Sequence, residues 1–124
     1  MHRISTGSPF ETAMGYSRAV VKGGWCFVSG VTGYDYATMA MPDDPAQQAR
    51  NCFATIFSVL DQAGFAPDDI VRVQYTVTDA GLVDAITPAL GEALGAIRPA
   101  ATMVIAGLIR PEMKIEIEVT AFRG

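Results

Sequence analysis

Asp44-Pro45-Ala46-Gln47-Gln48-Ala49-Arg50-Asn51-Cys52-Phe53-Ala54-Thr55-Ile56-Phe57-Ser58-Val59-Leu60-Asp61-Gln62-Ala63-Gly64 decides the fold together with the segment that follows it, Ile70-Val71-Arg72-Val73-Gln74-Tyr75-Thr76-Val77-Thr78. In the first, Ala49, Cys52, Phe53, Ile56, Leu60 and Ala63 recur at helical spacing on one face. Asp44 suits the N-cap, Pro45 the first helical position and Gly64 the C-cap, while Gln47 stands where a capping box needs it. In the second, Val71, Val73, Tyr75 and Val77 alternate with Arg72, Gln74, Thr76 and Thr78, the period-2 signature of a strand. A long amphipathic helix feeding a half-buried strand predicts an α/β or α+β domain.

Working outward, Val20-Val21-Lys22, Gly23-Gly24 and Trp25-Cys26-Phe27-Val28-Ser29 predict a β-hairpin closed by two glycines. A weak strand near Arg3 to Ser5 precedes it, and Gly30 to Met41 reads as a loop. Toward the C-terminus a second helix is expected between about Leu82 and Leu94. Proline is costly inside a helix, so a fresh start is expected at Pro88 with Thr87 as its cap. Thr102 to Leu108 and Met113 to Phe122 read as strands joined by a turn at Arg110-Pro111. The order β-β-β-α-β-α-β-β predicts one domain spanning residues 1–124, a mixed sheet with both helices on one face.

Composition narrows the function. Half of the 124 residues are hydrophobic, a surplus for so small a domain, which must be packed inside or set against another copy of the chain. Nine Lys and Arg against thirteen Asp and Glu give a net charge of −4, and the basic residues are scattered, the wrong balance for neutralising phosphates. Cys26 and Cys52 are expected to be reduced and buried, and with His2 they make no zinc pattern. No apolar run has the length of a membrane span or a signal peptide, so the expected location is cytoplasmic.

The residues alone name no reaction. Glu116 and Glu118 lie about 7 Å apart on one strand face, where a solvated face is the default reading and an acid–base pair the sharper one. Tyr16, Tyr34 and Tyr36 are expected to pack their rings with wet hydroxyls. Arg98 and Arg110 read as solvated turn arginines that could also hold a carboxylate. His2, in a terminus expected to fray, excludes a Ser-His-acid triad with Ser29, and the glycines form no nucleotide loop.

Several short pieces, in order along nearly the whole chain, give it a family likeness: Gly15-Tyr16-Ser17-Arg18-Ala19-Val20, Phe27-Val28-Ser29-Gly30, Gln47-Gln48-Ala49-Arg50-Asn51 leading to Ala63-Gly64, Asp69-Ile70-Val71-Arg72-Val73, Arg98-Pro99-Ala100 and Lys114-Ile115-Glu116-Ile117-Glu118-Val119-Thr120-Ala121. The set resembles the Rid family, the reactive intermediate deaminases once called translation inhibitors or liver perchloric-acid-soluble proteins. That resemblance implies a chorismate-mutase-like fold in a homotrimer, its sheets forming a central barrel, with ligand clefts between subunits. It implies hydrolysis of small enamine or imine acids to a keto acid and ammonia, without metal or cofactor.

Residue by residue, Tyr16 corresponds to the family's cleft tyrosine, Ser29 to the serine that closes the hairpin strand, and Glu116 to the glutamate that orients the attacking water. Met103 takes the position whose backbone faces the ligand, usually a cysteine, and Thr87 a position where many members carry asparagine. Deaminating members read Pro-Ala-Arg where this chain reads Pro99-Ala100-Ala101, so the arginine that grips the substrate carboxylate is replaced by Ala101. A charge-assisted contact of about 1.5–3 kcal/mol is lost with it unless Arg18, Arg98 or Arg110 takes its place. Three functions follow as expectations: a trimer that binds and hydrolyses a small imine, enamine or carbonyl metabolite; a non-catalytic metabolite-binding or regulatory trimer; and, against the charge balance, an endoribonuclease or translation inhibitor. The expected partners are a small molecule and copies of the same chain, with neither nucleic acid nor membrane.

Overall fold

The computed structural model describes all 124 residues. The long helix (α2, Pro45–Ala63) forms as its sequence requires. The Ala46 N–H donates to the Asp44 carboxylate at 3.3 Å, Pro45 opens the first turn, and Gly64 closes the helix in the left-handed region at φ 83°. Gln47 does not complete the expected capping box; its amide donates to Asn51 Oδ1 one turn on, at 2.9 Å. Ala49, Cys52, Phe53, Ile56 and Leu60 are buried as expected, joined by Gln48, and Ala63 is half-buried. Gln48 Nε2 donates to the carbonyls of Pro42 (2.8 Å) and Glu112 (3.0 Å), while its oxygen accepts the Lys114 N–H at 3.0 Å. One buried amide thus ties α2 to two loops. Gly33 lets the chain pass this close, since a Cβ there would lie 2.6 Å from Gln48 Cβ.

The sheet has six strands: β1 (His2–Ile4), β2 (Ala19–Lys22), β3 (Trp25–Thr32), β4 (Ile70–Val77), β5 (Ala100–Ile105) and β6 (Ile115–Phe122), in the spatial order β1-β2-β3-β6-β4-β5. All neighbours are antiparallel except β4 and β5, which the third helix (α3, Val83–Leu94) connects as a parallel crossover. Ile115, Ile117, Val119 and Ala121 alternate inward along β6 and meet Val28, Val73 and the apolar face of α2 in one core cluster. Both long helices cover the same face, so the expected mixed-sheet domain is the one found. No helix is long and apolar enough to cross a membrane. Cys26 and Cys52 are buried and unpaired.

Several expectations are corrected. The strand after the glycine turn does not stop at Ser29; it continues to Thr32 through a bulge between Val28 and Val31 that accommodates one extra residue. A second bulge between Ile70 and Arg72 turns Val71 outward, 45% exposed, and puts Ile70 in the core in its place. α3 does not restart at Pro88. An Asp79-capped 3-10 turn at Ala80–Leu82 launches it, and the chain runs helically through Pro88. The missing Pro88 N–H is a cost carried by the burial of Ile86, Ala89 and Leu94 on either side. Thr87 is therefore no cap; its hydroxyl donates to the Val83 carbonyl at 2.7 Å. β5 lies at Ala100–Ile105 rather than Thr102–Leu108, because pairing with β4 fixes its start. His2 is not frayed but paired with Val21 in β1. A short helix that periodicity did not indicate, α1 (Pro9–Met14), follows β1.

The apolar surplus divides. The inward residues of β6 serve the core of this same chain, whereas Trp25, Phe27 and Phe122 form an exposed aromatic group on the sheet face away from the helices. The Trp25 and Phe122 rings stand 4.6 Å apart, tilted, and Trp25 stacks on Phe27 at 6.1 Å. Val104 and Ile105 at the β5 edge are exposed as well.

Candidate functional site

The site grows from the bulge in β3. Six residues suffice for α1 because Ser8 caps it, accepting the Phe10 N–H at 3.2 Å, Pro9 starts it, and Gly15 ends it at φ 74°. This turn aims Glu11 inward. Its carboxylate accepts from Ser5 Oγ at 2.8 Å, from the Thr6 N–H at 3.2 Å and from the Thr6 hydroxyl, and lies 3.6 Å from Arg18 Nε. Burial pushes the Glu11 carboxyl up, but the Thr6 and Ser5 hydrogen bonds and the Arg18 charge outweigh it and hold it below its ordinary value.

Arg18 is only 1% exposed. Its Nη1 donates to the Gly30 carbonyl at 2.7 Å and the Ser29 carbonyl at 3.4 Å, so a cation holds the bulge from behind. Its Nη2 reaches the Tyr16 hydroxyl at 3.5 Å, and the guanidinium carbon lies 5.6 Å from the Tyr16 ring centre and 4.9 Å from that of Tyr36. Ser29 is fixed from the other side, its hydroxyl donating to the Ser17 carbonyl at 2.7 Å. The Thr32 N–H donates to the Tyr36 hydroxyl at 3.0 Å.

Glu116 projects from β6, paired with Thr32 on one side and Thr76 on the other. A Cβ on Gly30 would stand 2.5 Å from Glu116 Cδ, so only glycine leaves room for the carboxylate against the bulge. Burial raises the Glu116 carboxyl above its ordinary range, the Glu118 charge adds to that, and Arg18 opposes both. Glu118, two residues on, is exposed. The solvated-face reading therefore fits Glu118 and not Glu116.

Arg18 thus links Tyr16 to the Ser29–Gly30 bulge, and Glu116 stands against the bulge at Gly30. Thr87, Ala101 and Met103 are elsewhere. Ala101 pairs with Val73 and Met103 with Tyr75, which puts both on the helix side of the edge strand, whereas Glu116 occupies the opposite face. β4 stands between β5 and β6, a separation of two strand spacings, roughly 10 Å. There Ala101 and Thr87 line a recess of about 400 Å³ with Tyr75, Leu90 and Arg98. Within one chain the two groups do not share a cleft.

The three arginines separate on the same geometry. Arg18 is spent on the bulge carbonyls, Arg110 lies over the Phe10 ring at 5.2 Å, and Arg98 lines the recess beside Ala101. Sequence reasoning missed the roles of Glu11, Gly30 and Tyr36. Only the Ser29-Gly30 step carried a local signal, a glycine inside a strand pattern. Tyr34 is buried rather than wet; burial and its 2.6 Å hydrogen bond to Glu112 push its hydroxyl up to about 12.

Comparison with known proteins agrees with this fold. The endoribonuclease L-PSP family model matches residues 6–123. A crystal structure of a Mycobacterium tuberculosis protein described as a member of the YjgF/YER057c/UK114 family superposes with a TM-score of 0.89 at 38% identity, covering 98% of both chains. The Escherichia coli YjgF gene product superposes with a TM-score of 0.87 at 25% identity, over 100% of this chain and 99% of that one. An uncharacterized Streptomyces coelicolor protein is 29% identical over 125 residues, all of this chain and 93% of that one. With one six-stranded sheet under two main helices and a match that spans almost every residue, the chain belongs to the endoribonuclease L-PSP family, the Rid or YjgF family that its sequence resembles.

Proposed function

We propose that this protein binds a small imine, enamine or carbonyl metabolite in a cleft between subunits of a homotrimer and hydrolyses its C=N bond, with Glu116 as the proton-transferring group. The observation that carries the reading is the Glu116 carboxyl. It is half-buried against Gly30 of the bulge, within the field of Arg18, and held above its ordinary value by burial. A carboxyl moved toward neutrality can take a proton from water and return it within one turnover. Glu116 accepts a proton from the water as its oxygen bonds to the imine carbon. The nitrogen, left anionic by that attack, takes the proton from Glu116 to give the neutral carbinolamine; Glu116 then moves the hydroxyl proton to the same nitrogen, the C–N bond breaks, and ammonia departs from the carbonyl product. Atoms balance as imine plus water giving carbonyl compound plus ammonia. Tyr16 and Ser29 line the approach.

A trimer is supported by the exposed Trp25, Phe27 and Phe122 group and by the separation of the two sets of site residues. Thr87, Ala101 and Met103 meet Tyr16, Ser29 and Glu116 only if a neighbouring copy supplies one of the sets. No metal or cofactor enters the proposed reaction.

The test is ammonia release from freshly generated 2-aminoacrylate and from a panel of uncharged imines, comparing wild type with Glu116→Gln. Loss of release in the variant is expected; two indistinguishable proteins would refute hydrolysis. Ala101 favours a second reading, a trimer that binds its metabolite without turnover, which predicts saturable binding and no ammonia. An RNA-cleaving role has the charge balance against it, with a net −4 and its best-placed arginine, Arg18, buried.

A further inference from the structure

Along α2 the residues that avoid the core make a pattern of their own. Asn51, Thr55, Ser58 and Gln62 are spaced by four, three and four, which sets them in one polar stripe down the helix. Arg50, Phe53 and Phe57 turn toward α3 on the other flank. The stripe instead faces the end of β1 and the loop after β3, and with them walls a second recess of about 400 Å³. This recess is at the far end of the sheet from β5 and on the helix side, whereas Glu116 projects from the opposite face. Its walls are already held in place. Asn51 Nδ2 donates to the Gly33 carbonyl at 2.9 Å and pins the loop to the helix, and the Tyr36 hydroxyl accepts the Thr32 N–H at 3.0 Å. Tyr34, 4% exposed, braces the Tyr36 ring edge-on at 6.0 Å. Preformed cavities of about 300–1,000 Å³ are the usual size of small-molecule sites.

The lining chemistry selects the ligand. Seven of the eleven lining residues carry a hydroxyl, amide or carboxylate, and four are hydrophobic. None is a cation. The one charged wall residue, Asp35, forms no ion pair; one of its oxygens accepts the Ala37 N–H at 3.0 Å and the other is unspent. An anion is therefore disfavoured. The Thr55 hydroxyl makes no hydrogen bond within the chain, and Gln62 reaches only Ser58 Oγ, at 3.4 Å, through its Nε2. The Gln62 carbonyl oxygen and the Ser58 hydroxyl proton are left for a ligand. Neutral donors and acceptors thus follow one another along the helix, with Ala54 and the Tyr36 ring as apolar surface beside them. A pyranose has the matching mixture, hydroxyls around its rim and a face of C–H bonds. We propose that this recess binds a neutral sugar. The free Asp35 oxygen accepts from one sugar hydroxyl, Thr55, Ser58 and Gln62 exchange hydrogen bonds with others, and the C–H face lies against Tyr36 and Ala54. The site is separate from the cleft of the proposed hydrolysis and does not depend on that reading.

An NMR titration of the full-length protein at pH 7 tests this with the methyl glycosides of glucose, galactose and mannose and with the uronate of each. At least one neutral glycoside should bind saturably, shifting the Thr55 and Ser58 amides. Its uronate should bind at least about tenfold more weakly, the weight of one unfavourable charge beside Asp35. Asp35→Asn keeps the shape of the wall and should weaken the neutral glycoside by about tenfold, because a charge-assisted acceptor becomes an ordinary one. Ser58 is exposed, so Ser58→Trp should fold with a Tm near that of wild type, fill the recess and abolish binding. Glu116→Gln should bind the glycoside as wild type does. Absence of saturable binding by all three glycosides, or a uronate that binds as tightly as its neutral counterpart, would overturn the proposal. Wild-type affinity in Asp35→Asn or Ser58→Trp would do the same. Binding lost in Glu116→Gln would put the sugar in the cleft and refute a separate site.

Discussion

Gly30→Ala tests how the site is built. The backbone at Gly30 is outside the left-handed region, so alanine fits the chain there, and the loss of unfolded-state freedom favours the variant by about 0.4–1 kcal/mol. The new methyl meets Glu116 Cδ at 2.5 Å, where ordinary contact begins near 3.4 Å, so the carboxyl must retreat by about 0.9 Å. It is the far end of a flexible side chain and can do so by rotation. The sheet register on either side, Thr32 with Glu116 and Val28 with Val119, need not change. The expected result is therefore a folded protein, its stability within about 1 kcal/mol of wild type and its Tm within roughly 4 °C. A displacement near 1 Å at a catalytic group costs up to about 100-fold in rate, or ~2.7 kcal/mol of barrier. The assay pairs kcat/KM for ammonia release, on whichever imine the wild type turns over, with a thermal melt of the same sample. A kcat/KM within twofold of wild type would refute the claim that Glu116 works from its place against the bulge. A Tm lowered by more than about 10 °C would show that the backbone, not the carboxylate, gives way.

Three further outcomes are expected. Ala101→Arg should restore a carboxylate fork and raise kcat/KM for 2-aminoacrylate by about tenfold or more; no gain would mean that another group already fills that role. Arg18→Met should cost about 3–5 kcal/mol in urea unfolding, because Glu11 and the Ser29 and Gly30 carbonyls lose a buried cation, and adding Glu11→Gln should recover part of it. A loss under about 1 kcal/mol would contradict that account of the ion pair. Burial first, and Glu118 next, raise Glu116 above its unfolded value, so the stability it contributes is full below the ordinary glutamate value of about 4.3 and is lost as pH climbs through the folded one. Glu116→Gln should accordingly raise Tm at pH 8 and leave it nearly unchanged at pH 4, and equal shifts at both would exclude a raised carboxyl.

Legibility followed the range of the interaction. α2 was readable from cap to cap because Asp44, Pro45 and Gly64 act within a turn of themselves, and β6 because alternation needs only nearest neighbours. Pro88 misled because proline's cost is local while the burial of Ile86, Ala89 and Leu94 that outweighs it is tertiary. Val71 misled because one extra residue opposite Ala121 reverses the alternation, and a bulge has no composition of its own. α1 went unseen because six residues are too few for a helical period to show.

At the site the division is similar. Tyr16, Ser29 and Glu116 stood out through likeness to a family, but nothing in their spacing placed them together. By itself the sequence determined the class of the fold, its two main helices, the inward face of β6 and most of that of β4, and the family to which the chain belongs. All of these rest on periodicity, capping and ordered short motifs, which act over a few residues. Only the tertiary structure decided that Arg18 is a buried strut rather than a solvated arginine and that Gly30 is the hollow into which Glu116 fits. It also decided that Ala101, Thr87 and Arg98 face away from Glu116 across an intervening strand. Each depends on which strands become neighbours and where a register slips by one residue, a choice made by the whole core at once.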